Sequence, residues 1–280
     1  MDPKVCEAKV RVLACRAMSP LQALVLGAVQ GVTEFLPISS SAHLYAIPTL
    51  LGWRYAGVAF DVALHWGTLI ALLAAFWREW LQLVRGAFAR DRAQRLQAWS
   101  TWLKLGAASV PAAAAGVLLK DLAETRLRSL PLQAATLFVF GLLLWWVDRA
   151  RPASRDPAIP GWGTCMLMGT AQTLALVPGV SRSGITMTAG RAACLSRVAA
   201  ARFSFLLATP ITFGAGLVEL RHLSPELGAG TLAIGVASAA VVGVLAIRGL
   251  IRWLGHAGFG AFFAYRAAFA LFILFAVAKR

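Results

Sequence analysis

The chain has 280 residues, of which 59% are hydrophobic and 14% are charged, and its net charge at pH 7 is +15. Soluble domains carry about 25% charged residues, so this composition excludes a soluble globular protein and indicates an integral membrane protein. The positive charge does not indicate a nucleic-acid partner, because the Lys and Arg residues lie in short segments between apolar blocks, as in membrane proteins.

Residues 1–18 form a basic N-terminal extension that carries no motif. The apolar run that begins at Leu21 continues directly into a polar segment that contains Pro37 and three serines. We therefore interpret this run as a retained part of the protein rather than as a cleaved signal peptide.

The first break in the apolar pattern runs from Gln30 to His43 and reads QGVTEFLPISSSAH. The apolar piece after it, Ala42–Trp53, has 12 residues, which is about 18 Å of helix. A full span must cross about 30 Å of hydrocarbon, so this piece is too short. The break therefore predicts a re-entrant helix-loop-helix hairpin over residues 21–53.

A second break, Gln172–Thr186, reads QTLALVPGVSRSGIT, and the piece after it, Gly184–Leu195, is equally short. It predicts a second re-entrant hairpin over residues 160–195. Three apolar blocks of span length follow each hairpin. We expect full transmembrane helices at 56–77, 101–119 and 131–147, and again at 203–220, 229–247 and 257–278.

Both breaks run from a glutamine through apolar residues and a proline to a serine cluster, and Gln172 follows Gln30 by 142 positions. This similarity predicts an internal duplication, with units at 19–148 and 149–280. Because each unit has an odd number of full spans, the second unit is inverted in the membrane. The predicted fold is an all-α polytopic membrane protein, a single integrated domain with an inverted internal repeat, six full transmembrane helices and two re-entrant helix-loop-helix hairpins.

The distribution of positive charge predicts the orientation. Of the 27 Lys and Arg residues, fourteen lie in segments on one side, including 78–104, and eleven on the other, four of them in the N-terminal extension. Because cytoplasmic loops carry the excess, we expect the 78–104 loop in the cytoplasm. The first hairpin then enters from outside, the second enters from inside, and both termini are extracytoplasmic.

Ionisable residues at membrane depth are costly and are functional candidates by default. Glu34 shares a helix face with Gln30, and its carboxylate can bind a divalent metal, accept a proton or pair with an arginine. His43 follows the serine cluster and is a candidate acid or base.

Ser39, Ser40 and Ser41 lie just after Pro37. Serine is a favoured N-cap residue, and we expect one of the three to cap the next helix. The free N–H groups and positive dipole at the start of that helix also suit an anion such as phosphate. Capping and chemistry are compatible roles for this cluster.

The second break is predicted to form an oxyanion cradle. Arg182 offers a planar fork of donors that matches phosphate oxygens, although a simple ion pair with Glu34 is the alternative. Glycines permit close backbone approach, and hydroxyls add further donors. The cradle is completed by Gly179, Ser181, Ser183, Gly184 and Thr186.

Three more polar residues lie within apolar segments. Arg266 either contributes charge to the same cavity or has a structural role, and the sequence favours neither. Asp61 and His65 share a helix face. A metal pair is one interpretation there, and a polar seam near the membrane interface is the preferred one.

At these residues the sequence resembles the undecaprenyl-diphosphatase family of bacitracin-resistance membrane phosphatases. The family's first motif, (E/Q)xxxE followed by a proline, a serine pair and a histidine, stands here as Gln30–Glu34, Pro37, Ser39, Ser40 and His43. Its second motif, PGxSRSxxT, stands here as Pro178–Thr186. The similarity extends to FDVALHWGTLIA around Asp61 and to AYR at Arg266.

The resemblance implies a hydrolase that removes the terminal phosphate of undecaprenyl diphosphate and so recycles the lipid carrier of cell-wall synthesis. It also implies a multi-pass protein of the bacterial inner membrane whose site opens towards the periplasm. Ser40 is the implied nucleophile, with Glu34, His43 and Arg182 as catalytic partners. The residues expected to bind substrate are Gln30, Ser39, Gly179, Ser181, Ser183, Thr186 and Arg266.

Gln30 stands at a motif position where the family allows Glu or Gln, and this places any metal contact on Glu34. We expect a divalent cation, Mg²⁺ or Ca²⁺, to bridge the phosphate oxygens and Glu34. The expected partners are a polyprenyl diphosphate and the bilayer, with a homodimer left open. Attack by Ser40 and attack by a water that His43 activates are both open.

A transporter is the rival class of protein, because inverted repeats, broken helices and a midplane anion site are also features of secondary transporters. The same cradle would then carry or flip a lipid phosphate or a small anion without chemistry. The proximity of serine and histidine in the first motif favours an enzyme. A purely structural protein is a poor reading, because it leaves Glu34, His43 and Arg182 at membrane depth without a reason.

Overall fold

The computed structural model describes residues 18–53, 57–125, 127, 129–219 and 228–279. The predicted N-terminal extension lies outside these residues except for Met18. Every regular element in the described ranges is a helix, which confirms the all-α prediction.

The first half contains α1 (Pro20–Thr33), α2 (Ser40–Leu51), α3 (Val58–Ala75), α4 (Trp77–Ala87), α5 (Arg92–Thr125) and α6 (Leu130–Ala150). The second half contains α7 (Trp162–Ala171), a 3₁₀ turn (Gln172–Leu176), α8 (Arg182–Ala192), α9 (Arg197–Glu219), α10 (Ala229–Leu254) and α11 (Gly260–Ala278). In the described ranges, α5, α6, α9, α10 and α11 are long and apolar enough to cross a membrane, and α3 with α4 forms a sixth candidate if counted as one bent span. The chain is therefore a multi-pass membrane protein.

The span predicted at 56–77 ends earlier than expected. Helix α3 stops at Ala75, and the chain bends by 71° into α4. The sequence of α4, WREWLQLVRGA, carries two arginines and a glutamate, which are costly inside hydrocarbon. The 78–104 segment, predicted as a loop, is thus largely helical and consists of α4 and the first turns of α5.

Each break joins two short helices. Helices α2 and α8 have 12 and 11 residues, about 18 and 17 Å at 1.5 Å per residue. Both start two residues earlier than predicted. They follow Ser39 and Ser181, which share a φ of 74°, a left-handed conformation that turns the chain sharply where each helix begins.

The two halves exchange helix partners. Helix α1 packs on α10 and α7 packs on α5, while α3 and α9 pack on the same two long helices, α10 and α5. Gly27 of α1 and Gly169 of α7 lie at these crossings, where an added Cβ would collide with the backbone carbonyls of Gly235 and Ala108. The two glycines are separated by the same offset as the two breaks.

Buried contacts fix the breaks on this frame. Phe35, within the first break, packs edge-on against Phe205 of α9, with ring centroids 5.6 Å apart. At the far end of α8, the buried Arg191 donates to Asp148 of α6 at 2.8 Å, and Arg197 donates to the same carboxylate at 2.9 Å. Both breaks are therefore held at defined positions between the long helices.

Candidate active site

The two breaks meet around a cavity of about 240 Å³. This cavity has room for several water molecules or for a phosphate-containing head group. Its polar lining consists of Thr33, Glu34, Ser39, Ser40, Ser41, His65, Gln172, Ser181, Arg182 and Thr212. Its apolar lining consists of Ala112, Ala175, Leu176, Ile211 and Ala215.

Glu34 is the centre of the hydrogen-bond network in this cavity. Its Oε1 accepts from Arg182 Nη2 at 2.7 Å, and its Oε2 accepts from Ser40 Oγ at 2.6 Å. Gln30 Nε2 adds a third donor at 3.2 Å to Oε2. Removing one partner of a buried ion pair is strongly destabilising, so the glutamate and the arginine hold each other and the two breaks in place.

Ser40 is not the N-cap residue of α2. The N-cap residue is Ser39, whose side chain makes no capping hydrogen bond and lies 3.1 Å from Ser41 Oγ. Ser40 is the first residue of α2, and its hydroxyl donates a hydrogen bond to the carboxylate of Glu34. A serine hydroxyl that is hydrogen-bonded to a base has the arrangement of an activated nucleophile.

The second break supplies a free cationic donor. Ser181 caps α8 by accepting from the backbone N–H of Gly184 at 3.1 Å. Arg182, the first residue of that helix, binds Glu34 through Nη2, while its buried Nη1 has no partner among the described atoms. An unpaired buried donor is costly, and Arg182 lines the cavity, so Nη1 is available to an anion there.

Two more hydrogen bonds join the breaks. Ser183 Oγ donates to the carbonyl of Leu36 at 3.2 Å, and the N–H of Gly179 donates to Ser41 Oγ at 3.4 Å. Gly179 has a φ of 91°, and a Cβ there would collide with Thr136. Position 179 therefore requires a glycine, both for its backbone conformation and for its close contact with Thr136.

Arg266 lies behind the breaks, with its side chain completely buried. Its guanidinium donates to five backbone carbonyls at 2.7–3.2 Å: those of Pro37, Thr136, Leu137, Gly179 and Val180. Arg266 thus connects both breaks to α6 and is not part of the described cavity lining.

His43 also faces away from the cavity. Its Nδ1 lies 2.7 Å from the carbonyl of Ser39, and its Nε2 lies 2.7 Å from the hydroxyl of Tyr265. A carbonyl can only accept, so Nδ1 carries the proton and Nε2 accepts from Tyr265. The ring stacks on Phe269 with centroids 4.2 Å apart, and both ring nitrogens are occupied.

The structure therefore divides the predicted site residues into two groups. Glu34, Ser39, Ser40, Ser181 and Arg182 line the cavity. Within the described part of the chain, the residues that lie behind this lining are Gln30, His43, Gly179, Ser183, Thr186 and Arg266. Thr186 is hydrogen-bonded to the carbonyl of Arg182 at 2.8 Å and lies 2.6 Å from the hydroxyl of Ser204.

Five polar lining residues were not predicted as site residues: Thr33, Ser41, His65, Gln172 and Thr212. His65 lies 3.5 Å through Nε2 from Glu34 Oε2, and its Nδ1 lies 2.7 Å from the carbonyl of Asp61. The spacing of His65 from Asp61 indicated a contact within α3, whereas its charged partner Glu34 lies at the C-terminal end of α1. Gln172 begins the second break, and its similarity to Gln30 was the available sequence signal.

The residues that line the cavity fit a metal ion only together with a bound substrate. In the described ranges no group of three or more His, Cys, Asp or Glu residues could hold a metal, and Glu34 is the one carboxylate of the described lining. Mg²⁺ is often held by one or two carboxylates together with substrate phosphates and water. The cavity therefore fits an ion that arrives with a phosphate substrate.

These helices and this cavity define a multi-pass membrane protein with a polar site between two broken helices. The family model described as "Bacitracin resistance protein BacA" matches residues 23–272. A protein of Pelotomaculum thermopropionicum named undecaprenyl-diphosphatase is 46% identical over 263 residues, covering 94% of this chain and 98% of that protein. One of Gemmatimonas aurantiaca with the same name is 47% identical over 266 residues, covering 94% and 100%. The chain belongs to the BacA family.

Proposed function

We propose that this protein hydrolyses undecaprenyl diphosphate to undecaprenyl phosphate and inorganic phosphate, which recycles the lipid carrier of cell-wall synthesis. Membership of the BacA family and the name of its curated relatives support this activity. The observation that carries it is the hydrogen bond from Ser40 to Glu34 beside the free Nη1 of Arg182. A nucleophile, a base and an anion-binding group thus meet in one cavity.

The diphosphate head group occupies the cavity in this proposal, and the isoprenoid tail lies outside it among the lipids. Arg182 Nη1 binds the terminal phosphate. The first turns of α2 and α8 both begin at the cavity, and the N–H groups and positive dipoles of helix N-termini favour an anion. These fixed donors stabilise the charge that develops on the transferring phosphoryl group.

In the chemical step, Ser40 Oγ attacks the terminal phosphorus while its proton passes to Glu34 Oε2. The bond from that phosphorus to the bridging oxygen breaks, and undecaprenyl phosphate leaves with the electron pair. Water then cleaves the phosphoserine, Ser40 recovers its proton from Glu34, and inorganic phosphate leaves. General base catalysis of this kind contributes about 10²–10⁴-fold to a rate.

The residues behind the lining serve this reaction by fixing the breaks. His43 holds the carbonyl of Ser39, the residue whose left-handed backbone sets the position of Ser40. Both nitrogens of His43 have partners away from the cavity, which favours Ser40 over a water activated by His43. A Mg²⁺ or Ca²⁺ ion held by Glu34 and the substrate phosphates would supply charge neutralisation when bound.

The finer topology is also a proposal: six full spans, with α3 as a short span that turns into α4, and two re-entrant hairpins inverted in the inner membrane. The cavity then faces the periplasm. In α9, Arg202 lies near the basic end, whereas the cavity residue Thr212 lies ten positions further on, about 15 Å along the helix. In α3, His65 lies in the half away from Arg78. The cavity is thus remote from the basic segments, which supports a periplasmic opening.

The test is phosphate release from undecaprenyl diphosphate by the purified protein. Ser40→Ala is expected to reduce kcat by at least about 10³-fold, because it removes the nucleophile. The matched control is Ser109→Ala, which removes a buried hydroxyl that bonds the carbonyl of Leu105 in its own helix and is expected to keep the rate. Transport of a lipid phosphate in proteoliposomes without phosphate release would contradict the proposal and favour a transporter.

A further inference from the structure

Gln172, the first residue of the 3₁₀ turn, has a buried side-chain amide without a partner. Only 3% of the residue is exposed, and neither its Nε2 nor its Oε1 has a hydrogen-bond partner among the described atoms. The residue lines the cavity between the breaks. Native proteins rarely leave a buried polar group unpaired, so a ligand bound in this cavity is the group that would pair the amide.

The corresponding amide of the first break is paired through its nitrogen, whereas its Oε1 also lacks a partner within the described residues. Gln30 Nε2 donates to Glu34 Oε2 at 3.2 Å, four positions further along the chain. Four positions after Gln172 the sequence has Leu176, whose side chain offers no acceptor. The two halves therefore keep the same amide, but only the first half provides a partner for its nitrogen.

We propose that Gln172 binds the diphosphate group of the substrate by donating Nε2–H to a non-bridging phosphate oxygen. This inference rests on the proposed function. Gln172 and Arg182 then act together, because both present an unpaired buried donor from the second break to the same cavity. Phosphate oxygens accept these donors, while the first break presents Ser40 and Glu34 to the phosphorus.

A matched control exists elsewhere in the chain. Gln133 of α6 is completely buried, and both of its amide atoms also lack a partner in the described structure. Unlike Gln172, it is not in the described lining of the cavity. Gln133→Leu and Gln172→Leu therefore remove the same chemical group from equally buried positions, and only one of them faces the substrate.

The experiment measures phosphate release from undecaprenyl diphosphate by the purified full-length variants over a range of substrate concentrations. Gln172→Leu is expected to lower kcat/KM by about tenfold to a hundredfold, the worth of one hydrogen bond to a charged group. Gln133→Leu is expected to stay within about twofold of wild type. The melting temperature of Gln172→Leu without ligand is expected to equal or exceed that of wild type, because replacing an unpaired amide by an apolar group of similar size does not destabilise.

A second readout does not depend on turnover. Inorganic pyrophosphate is expected to raise the melting temperature of wild type and Gln133→Leu, since a ligand that binds the folded state stabilises it, and to do so less for Gln172→Leu. The inference is overturned if Gln172→Leu keeps both kcat/KM and the pyrophosphate shift. It is also overturned if the ligand-free melting temperature falls, which indicates a structural role. Wild type that binds pyrophosphate but releases no phosphate from the lipid contradicts the proposed function instead.

Discussion

The substitution Arg266→Lys tests whether Arg266 holds the two breaks in position or binds the substrate. The guanidinium of Arg266 donates to five backbone carbonyls, two of them in the second break and one in the first. A lysine ammonium has three donors on a single atom. It therefore leaves at least two of these buried carbonyls unpaired while it keeps the positive charge.

The expected cost follows from that count. An unsatisfied buried acceptor costs about 1–3 kcal/mol, so two of them give about 4 kcal/mol as a central value. A chain of this size loses about 2 °C of melting temperature for each kcal/mol. Arg266→Lys should therefore melt roughly 8 °C below wild type, with its KM for undecaprenyl diphosphate unchanged at a temperature where it is folded.

Thermal unfolding in detergent and phosphate release together test this expectation, with Arg182→Lys as the matched control. Arg182→Lys also exchanges an arginine for a lysine, but it keeps a charge beside Glu34 and removes the donor that faces the cavity. It should lose activity with a smaller change in melting temperature. If Arg266→Lys instead raises KM and melts like wild type, Arg266 binds the substrate and the structural assignment is wrong.

Further predictions concern the carboxylate, the metal ion and the backbone. Glu34→Gln is expected to lower kcat for phosphate release by about 10²–10⁴-fold and also to lower the melting temperature, because Arg182 loses its buried partner; a rate near wild type would contradict its role as base. EDTA is expected to abolish phosphate release and added Mg²⁺ or Ca²⁺ to restore it; activity that persists in EDTA excludes the ion. Gly169→Ala is expected to lower the melting temperature by several degrees, because overpacking costs about 1–3 kcal/mol, whereas Gly163→Ala in the same helix, with no atom within 4 Å of an added Cβ, should not. Ser39→Gly is expected to be at least as stable as Ser39→Ala in thermal unfolding, because glycine adopts a φ of 74° without strain.

The helices could be predicted from the sequence because their lengths are set by the bilayer. The block at 203–220 overlaps α9, and the block at 131–147 lies within α6. The short pieces after the breaks also have nearly the predicted lengths. The 78–104 segment was predicted to be a loop because of its arginines. In the structure α4 is an amphipathic helix, and a helix of this kind combines arginines and apolar residues at a period of 3.6 residues.

Part of the cavity could also be predicted, because an unpaired charge at membrane depth requires a partner. Glu34 and Arg182 were the main candidates of opposite charge, and the structure joins them at 2.7 Å. The direction in which His43 points could not be predicted, since it depends on the backbone of Ser39, and a φ of 74° there has no signal in a run of serines. The contact of His65 with Glu34 depends on how α3 packs beside the break, which spacing within one helix does not determine.

The exchange of helix partners between the halves has a consequence for how the protein is made. Gly27 packs against Gly235, 208 positions later, and Glu34 meets Arg182 148 positions later. At about 5–20 residues per second, synthesis of 208 residues takes about 10–40 s. During that interval Glu34 and Gly27 lack the partners that the second half supplies. The cavity between the two breaks therefore forms only when the second half has been inserted.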